Sequence, residues 1–166
     1  MKLYTKQGDG GYSSVANGER LKKSERVFHI LGTIDETTCF LGLAKCECEK
    51  AELKELIESV QKDLMRLMSH IASNGDERYA LKDADIKFLE EKTDYFCSLK
   101  KEKGFSFVLP GGSKCSSALN LARCAARKAE RLMAEEGGGY KIFPENLKYI
   151  NRFSDFLFAA ALYADI

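Results

Sequence analysis

The sequence predicts an all-α protein: a five-helix up-and-down bundle, with packing of the ferritin-like four-helix-bundle type, behind a glycine-rich amino-terminal arm. Three observations predict it. Long runs almost free of glycine and proline carry apolar residues at three-and-four spacing, chain breakers are gathered into a few short clusters, and strand signals are few. With 166 residues and 45% hydrophobic content a proper core can be filled, so residues 1–166 read as one domain, with an arm over 1–24 and a bundle over 25–166.

The arm comes first. "YTKQGDGGYSS" supplies hydroxyls at Thr5, Ser13 and Ser14, a cation at Lys6, and glycines at 8, 10 and 11. Glycines leave backbone N–H groups open to phosphate oxygens, and a lysine neutralises their charge. Arg20, Lys22, Lys23 and Arg26 follow closely, so a polyphosphate lying across the arm would meet several cations. The GxxxxGK[ST] order of a Walker A loop is absent. Taken alone, the plainer reading of this stretch is a flexible hydrophilic arm.

After Gly32 a run reaching Ser73 contains Leu53, Leu56, Ile57, Val60, Leu64, Leu67, Met68 and Ile71, the apolar stripe of an amphipathic helix that Gly75 ends. A shorter helix is expected over 83–100, with Asp83 or Asp85 as cap and Ile86, Leu89, Tyr95 and Phe96 as apolar positions. "FSFVL" at 105–109 is short enough to be a connector. Ser113 can cap the next helix, over 113–136, which "EEGGGY" closes; Pro144 suits the first turn of a last helix through "NLKYINRFSDFLFAAALYA".

Charge and cysteine usage exclude several classes. Lys plus Arg number 26 against 25 Asp plus Glu, so there is no broad basic field for nucleic acid, and any anion site must be local. No apolar run is long enough to span a membrane. The six cysteines, at 39, 46, 48, 97, 115 and 124, lack zinc-finger spacing, and His29 and His70 are isolated. They read as reduced thiols of a cytoplasmic protein.

The helix over 113–136 carries Arg123, Arg127 and Arg131 in steps of four, near one another on one face, beside the small residues Ala118, Ala122, Ala125, Ala126 and Ala129. Like charges so spaced repel. They must fan into water, pair with carboxylates such as Glu130 and Glu135, or meet an anion. In the last helix "NRFSD" sets Asn151 and Asp155 four apart with Arg152 beside them, a second polar cluster in an apolar run. Two such clusters and a glycine-rich arm together ask for a phosphate-bearing ligand.

Five blocks, "YTKQGDGGYSS", "RLKKSERV" with "GTIDE" after it, "FVLPGGS", "ARCAARKAER" and "INRFSDFLF", resemble in their order the PduO-type ATP:cob(I)alamin adenosyltransferases. The likeness runs nearly end to end. It implies transfer of the adenosyl group of ATP to the cobalt of cobalamin, with ATP, Mg²⁺ and the reduced corrinoid as what is bound. It also implies a homotrimer with sites between subunits. A corrinoid reductase and a B12-dependent enzyme are the further partners of such an activity, and no nucleic acid or membrane is. Residue by residue, the resemblance implies that Thr5, Lys6, Gly8, Asp9, Gly11 and Ser13 lie over the triphosphate, with Lys23 reaching phosphate from the next segment. Arg127 would hold phosphate, and Glu130 and Asn151 would contact the nucleotide, Glu130 through magnesium. Asp35 and Arg123 would pair across the subunit boundary on the corrinoid side, and Phe107 would pack under the corrin ring and displace its lower ligand.

The residue types agree with that chemistry, because a Co(I) nucleophile needs no Ser–His or Cys–His pair and the sequence shows no convincing one. Four positions depart from the family pattern. Asn120 stands where many members have His, Lys128 where they have Arg, Ser13 where Thr is usual, and "GTIDETTCF" lacks the leucine that commonly follows Asp-Glu. Lysine keeps the charge at 128 but loses the bidentate fork. The alternative is a trimeric ATP or corrinoid carrier or sensor with little turnover; a purely structural bundle with a charged face would leave the arm unexplained.

Overall fold

The computed structural model describes residues 4–99, 108–135 and 139–166. The elements are β1 (Tyr12–Ser14), β2 (Arg20–Lys22), α1 (Arg26–Glu47), α2 (Ala51–Ala72), one 3-10 turn (Glu77–Tyr79), α3 (Asp83–Ser98), α4 (Lys114–Ala134) and α5 (Pro144–Ala164). The five helices form the expected bundle, in the spatial order α2, α1, α4, α5, α3. The most extensive packing is of α4 on its two neighbours, α1 and α5. No helix among the described residues is long and apolar enough to cross a membrane.

The first helix differs from the sequence reading. It begins at Arg26, ahead of Gly32, and ends at Glu47, so the long run up to Ser73 is two helices. Val27, Ile30, Ile34, Thr37, Leu41 and Ala44 are its buried seam, alternating steps of three and four, with Thr33 buried beside it. The threonines disguise that seam. Their hydroxyls donate to carbonyls one turn back, Thr33 to His29 at 2.7 Å and Thr37 to Thr33 at 2.8 Å, which lets polar residues lie in a core. The break uses neither glycine nor proline: Cys48 and Lys50 are extended, at ψ 136° and 116°. Reversal there is what turns the apolar stripe of α2, where Leu53, Ile57, Val60, Leu64, Leu67 and Ile71 are fully buried, back onto α1.

The arm also holds structure that the sequence reading left out. Tyr12, Ser13 and Ser14 pair antiparallel with Lys22, Leu21 and Arg20. Gly18 supplies φ +86° in the turn, and the Asn17 side chain accepts from Glu19 N–H at 2.9 Å. "NG" between two short runs is the signal that was there to be read. Val15 is buried in the core and Leu21 packs against it, so the hairpin is seated on the bundle.

Helix starts follow the expected chemistry, with one adjustment. Ser113 and Ser116 cap α4 reciprocally, each hydroxyl accepting from the other's N–H at 3.0 Å, and Pro144 opens α5. At α3, Lys82 is the N-cap residue and Asp85 acts from the third helical position, accepting from Lys82 N–H at 2.7 Å, while Asp83 is only the first residue of the helix. Ile86, Leu89 and Phe96 are buried as expected; Tyr95 is not, and lies exposed with the Lys92 ammonium 5.5 Å from its ring. The six thiols are unbridged. Burial, and then the adjacent Cys48, push the pKa of Cys115 up to about 12, which keeps that thiol protonated.

One ion network ties α2, α3 and α5. Arg66 donates to Asp63 at 3.0 Å, to both oxygens of Asp85 at 3.1 Å and to the Ala80 carbonyl at 2.8 Å; the Tyr149 hydroxyl donates to Asp63 at 3.2 Å. Burial, and then the like charge of Asp85, hold Asp63 above its ordinary pKa. For Asp85 burial pushes upward too, but the bonds from Arg66 and from Lys82 N–H outweigh it and hold it below. The two titrations therefore have opposite signs. The Asp85 contribution is present above the ordinary carboxylate range and lost as pH falls through it, whereas ionisation of Asp63 costs stability as pH rises. Arg66→Met leaves two carboxylates facing each other and should cost about 1–3 kcal/mol in denaturant unfolding, discounted because the guanidinium is part-exposed. Asp63→Asn, which keeps an acceptor for Tyr149, should cost under about 1 kcal/mol.

Candidate functional site

The alanines of α4 decide where its long side chains go. Ala118, Ala122, Ala125, Ala126 and Ala129 are buried together with Cys115, Ser116, Leu119 and Met133, which leaves the charged positions at the edge of the seam or facing outward. Arg127 and Arg131 are exposed, and Arg123 and Glu130 are half-buried at the edge of the seam. Arg123 and Glu130 stand seven residues apart, or about 10 Å along the helix, with Arg127 between them.

Glu130 and Asn151 are brought together. The Asn151 amide donates to Glu130 Oε1 at 2.7 Å, joining α4 to α5. Asn151 is oriented in turn by Arg152, whose guanidinium donates to its carbonyl oxygen at 2.7 Å and to Glu90 of α3 at 2.9 Å. An asparagine with its acceptor held on one side can present only its amide on the other. The Arg152–Glu90 latch was not readable from sequence, since Glu90 is one acid among many and its partner comes from another helix.

The arm is folded, not extended. Gly11 N–H bonds the Gly8 carbonyl at 3.2 Å, Asp9 N–H bonds the Lys6 carbonyl at 3.4 Å, and Lys6 itself has φ +61°. Lys23 N–H donates to the Gly11 carbonyl at 2.9 Å, and its ammonium lies where a Cβ on Gly8 would be only 3.0 Å away. Gly8, Gly11 and Lys23 thus form one cluster. Thr5, Lys6 and Asp9 are exposed beside it and Ser13 is half-buried in β1; Thr5 Oγ1 accepts from Gln7 N–H at 3.4 Å. The other basic residues part company. Arg26 Nε donates to the Leu132 carbonyl at 2.7 Å and its Nη2 to that of Met133 at 3.2 Å, neutralising the open carbonyl end of α4.

Asp35 and Arg123 are not brought together within one chain. Asp35 is exposed on α1; Arg123 donates to the Asn120 side-chain oxygen at 3.1 Å and lies 5.8 Å from the centre of the Phe158 ring. The asparagine at 120 therefore acts as an acceptor for this arginine, and Lys128 stands 3.8 Å from Glu36 across the α1–α4 contact. Phe107 lies outside the described residues. Just after it, Gly111 and Gly112 line an open cleft of about 490 Å³ with Leu43, Ser117, Ala118 and Leu121, at the start of α4.

Comparison with known proteins gives this geometry a family. Residues 3–164 match the cobalamin adenosyltransferase family model. The chain belongs to that family. The corrinoid adenosyltransferase of Bacillus subtilis is 37% identical over 97% of this chain and 85% of its own length. The corrinoid adenosyltransferase PduO of Salmonella typhimurium is 32% identical, and there the match spans 97% of this chain but 49% of that longer protein. A variant of the PduO-type ATP:corrinoid adenosyltransferase of Lactobacillus reuteri, solved with cobalamin and ATP, superposes with a TM-score of 0.89 at 32% identity, covering 99% of this chain and 91% of that one. The cobalamin adenosyltransferase fold is thus matched along the arm as well as the bundle.

The Glu130–Asn151 contact makes a sharp expectation. Asn151→Asp places a second carboxylate 2.7 Å from Glu130, so the variant should be less stable than the parent at pH 7 by about 1–2 kcal/mol. That deficit should shrink as the pair takes up a proton on acidification. Asn151→Leu should show a deficit that does not vary with pH, and thermal unfolding across pH 5–8 distinguishes them.

Proposed function

We propose that this chain transfers the 5′-deoxyadenosyl group of ATP to the cobalt of cob(I)alamin, releasing triphosphate. The observation that carries the reading is the coupled pair Glu130–Asn151 with exposed Arg127 one turn before it, in a chain whose glycine arm is already folded around Lys23. The cobalt electron pair attacks C5′, the C5′–O bond breaks, and the electrons leave with the triphosphate. No protein base is required. What the protein must do is hold C5′ in line and neutralise the departing charge.

The roles are those that the family resemblance implies. Thr5, Lys6, Gly8, Asp9, Gly11 and Ser13, with Lys23, cover the triphosphate, and Arg127 meets it from the bundle. Asn151 presents its amide to the nucleotide. Glu130 fits a magnesium contact: one oxygen is taken by Asn151 and the other makes no hydrogen bond among the described residues. Mg²⁺ commonly takes one or two carboxylates and fills its shell with phosphate oxygens and water. It would supply charge neutralisation on the triphosphate. Asp35 and Arg123, apart in one chain, pair between neighbouring copies of a homotrimer and shape the corrinoid side. Phe107 is an apolar wedge that excludes water and the lower axial ligand, easing reduction of Co(II). The setting is the cytoplasm, with a corrinoid reductase upstream and a B12-dependent enzyme downstream.

The test is anaerobic: protein, ATP, Mg²⁺ and chemically reduced cob(I)alamin, with the visible spectrum followed as the Co–C bond forms. Multiple turnovers support the transferase; ATP binding without adenosylcobalamin means a carrier or sensor. Arg127→Ala should lower kcat/KM for ATP by about 10²-fold, the scale of losing one charge-stabilising donor. Phe107→Ala should lose far more activity in assays started from Co(II) than in those started from Co(I). Equal losses in both would remove the wedge role.

A further inference from the structure

The hairpin that follows the phosphate arm is clamped from two sides. On the bundle side, Tyr140, in the link between α4 and α5, donates its hydroxyl to Glu19 Oε2 at 3.3 Å and reaches the Asn17 side-chain oxygen at 3.5 Å. Asn17 is the residue whose side chain closes the hairpin turn. On the arm side, the guanidinium of Arg20 donates to the Gln7 carbonyl, next to the folded Gly8–Gly11 turn. Burial, and then the Glu19 carboxylate, push the Tyr140 phenol above its ordinary pKa, so its hydroxyl proton is held more firmly.

The link is itself fixed at its far side. Lys141 N–H donates to the Asn74 side-chain oxygen at 3.1 Å, and the Phe143 ring lies against His70, their centres 4.8 Å apart. Tyr140 therefore hangs from the end of α2 rather than from a free loop. A continuous path runs from there through Tyr140, the Asn17–Glu19 turn and Arg20 to the Gln7 carbonyl.

We infer that Tyr140 and Arg20 are positioning residues for nucleotide binding: they hold the arm in the triphosphate-ready fold, and neither touches the ligand itself. This rests on the proposed ATP site. A competent arm conformation populated only part of the time weakens apparent affinity by that fraction, without altering the chemistry once ATP is bound. The consequence is a rise in KM for ATP with little change in kcat. Arg20 could instead meet phosphate directly, and the two roles differ in what charge contributes: a carbonyl partner needs only an N–H donor, whereas a phosphate contact is strengthened by a cation.

The experiment compares Tyr140→Phe, Arg20→Gln and Arg20→Lys with the parent. It measures steady-state turnover with chemically reduced cob(I)alamin and calorimetric binding of inorganic triphosphate with Mg²⁺. Tyr140→Phe should raise KM for ATP and weaken triphosphate binding about 3- to 10-fold, the scale of one hydrogen bond, with kcat nearly unchanged. Arg20→Gln and Arg20→Lys should behave alike, each retaining a donor for Gln7. Retention by Arg20→Lys alone, with loss in Arg20→Gln, would overturn the positioning role in favour of a direct phosphate contact. Unchanged triphosphate affinity in Tyr140→Phe would overturn the clamp. If the parent binds triphosphate but does not turn over, the transferase reading fails while triphosphate affinity still decides the clamp; a parent that binds neither ATP nor triphosphate overturns both.

Discussion

The close seating of α4 between α1 and α5 is the constraint on which the rest depends. Its buried face is rich in alanine, with Cys115, Ser116, Leu119 and Met133 as the other members, so the helix fits where larger side chains would push its neighbours away. That arrangement assigns every other position on α4. Arg123 and Glu130 fall at the edges, where they meet groups on the same helix or on α5, and Arg127 points to solvent. A leucine in place of Ala122 or Ala126 would act first on packing and only through it on the site.

Charge is sorted by the partners each residue finds. Arg26, Arg66 and Arg152 are committed to carbonyls or carboxylates that join elements of the bundle. Lys128 spans α1 and α4 at 3.8 Å. Lys23 and Arg127 keep their charge where an anion can reach it, one against the glycine turn of the arm and one on the exposed face of α4. The repulsion expected among the α4 arginines is thus relieved locally at Arg123, by the Asn120 oxygen and the Phe158 ring, and left to solvent or ligand at Arg127 and Arg131. A nearly neutral chain can in this way leave individual cations open to an anion, because the cations that join its elements are already matched.

Much of the fold was legible because helices announce themselves locally. The α2 stripe, the Ser113 cap and Pro144 each depend on residues within a few positions of one another, and each behaves as its spacing implies. The first helix was less legible, since Thr33 and Thr37 read as polar but bury their hydroxyls on their own helix. The α1–α2 break was invisible, because Cys48 and Lys50 carry no turn preference and adopt extended backbone only as the chain reverses to pack α2. The hairpin was legible in principle at Asn17–Gly18, but two three-residue strands make a weak pattern.

The sequence by itself determined the helical class, the helix ends with strong caps, and the inventory of the candidate site: glycines and a lysine in the arm, arginines and a glutamate on one helix, an asparagine on another. Those follow from residue type and short spacing, which one strand of chain contains in full. Only the tertiary structure decided which of these groups meet. Glu130 finds Asn151 because α4 and α5 lie side by side, and Asn151 is oriented by a latch to Glu90 on a third helix. Arg26 is withdrawn from the arm to the end of α4, and Tyr140 is hung where it can grip the hairpin. Such pairings join residues far apart in the chain and form only when apolar burial has closed the bundle, so no local pattern encodes them.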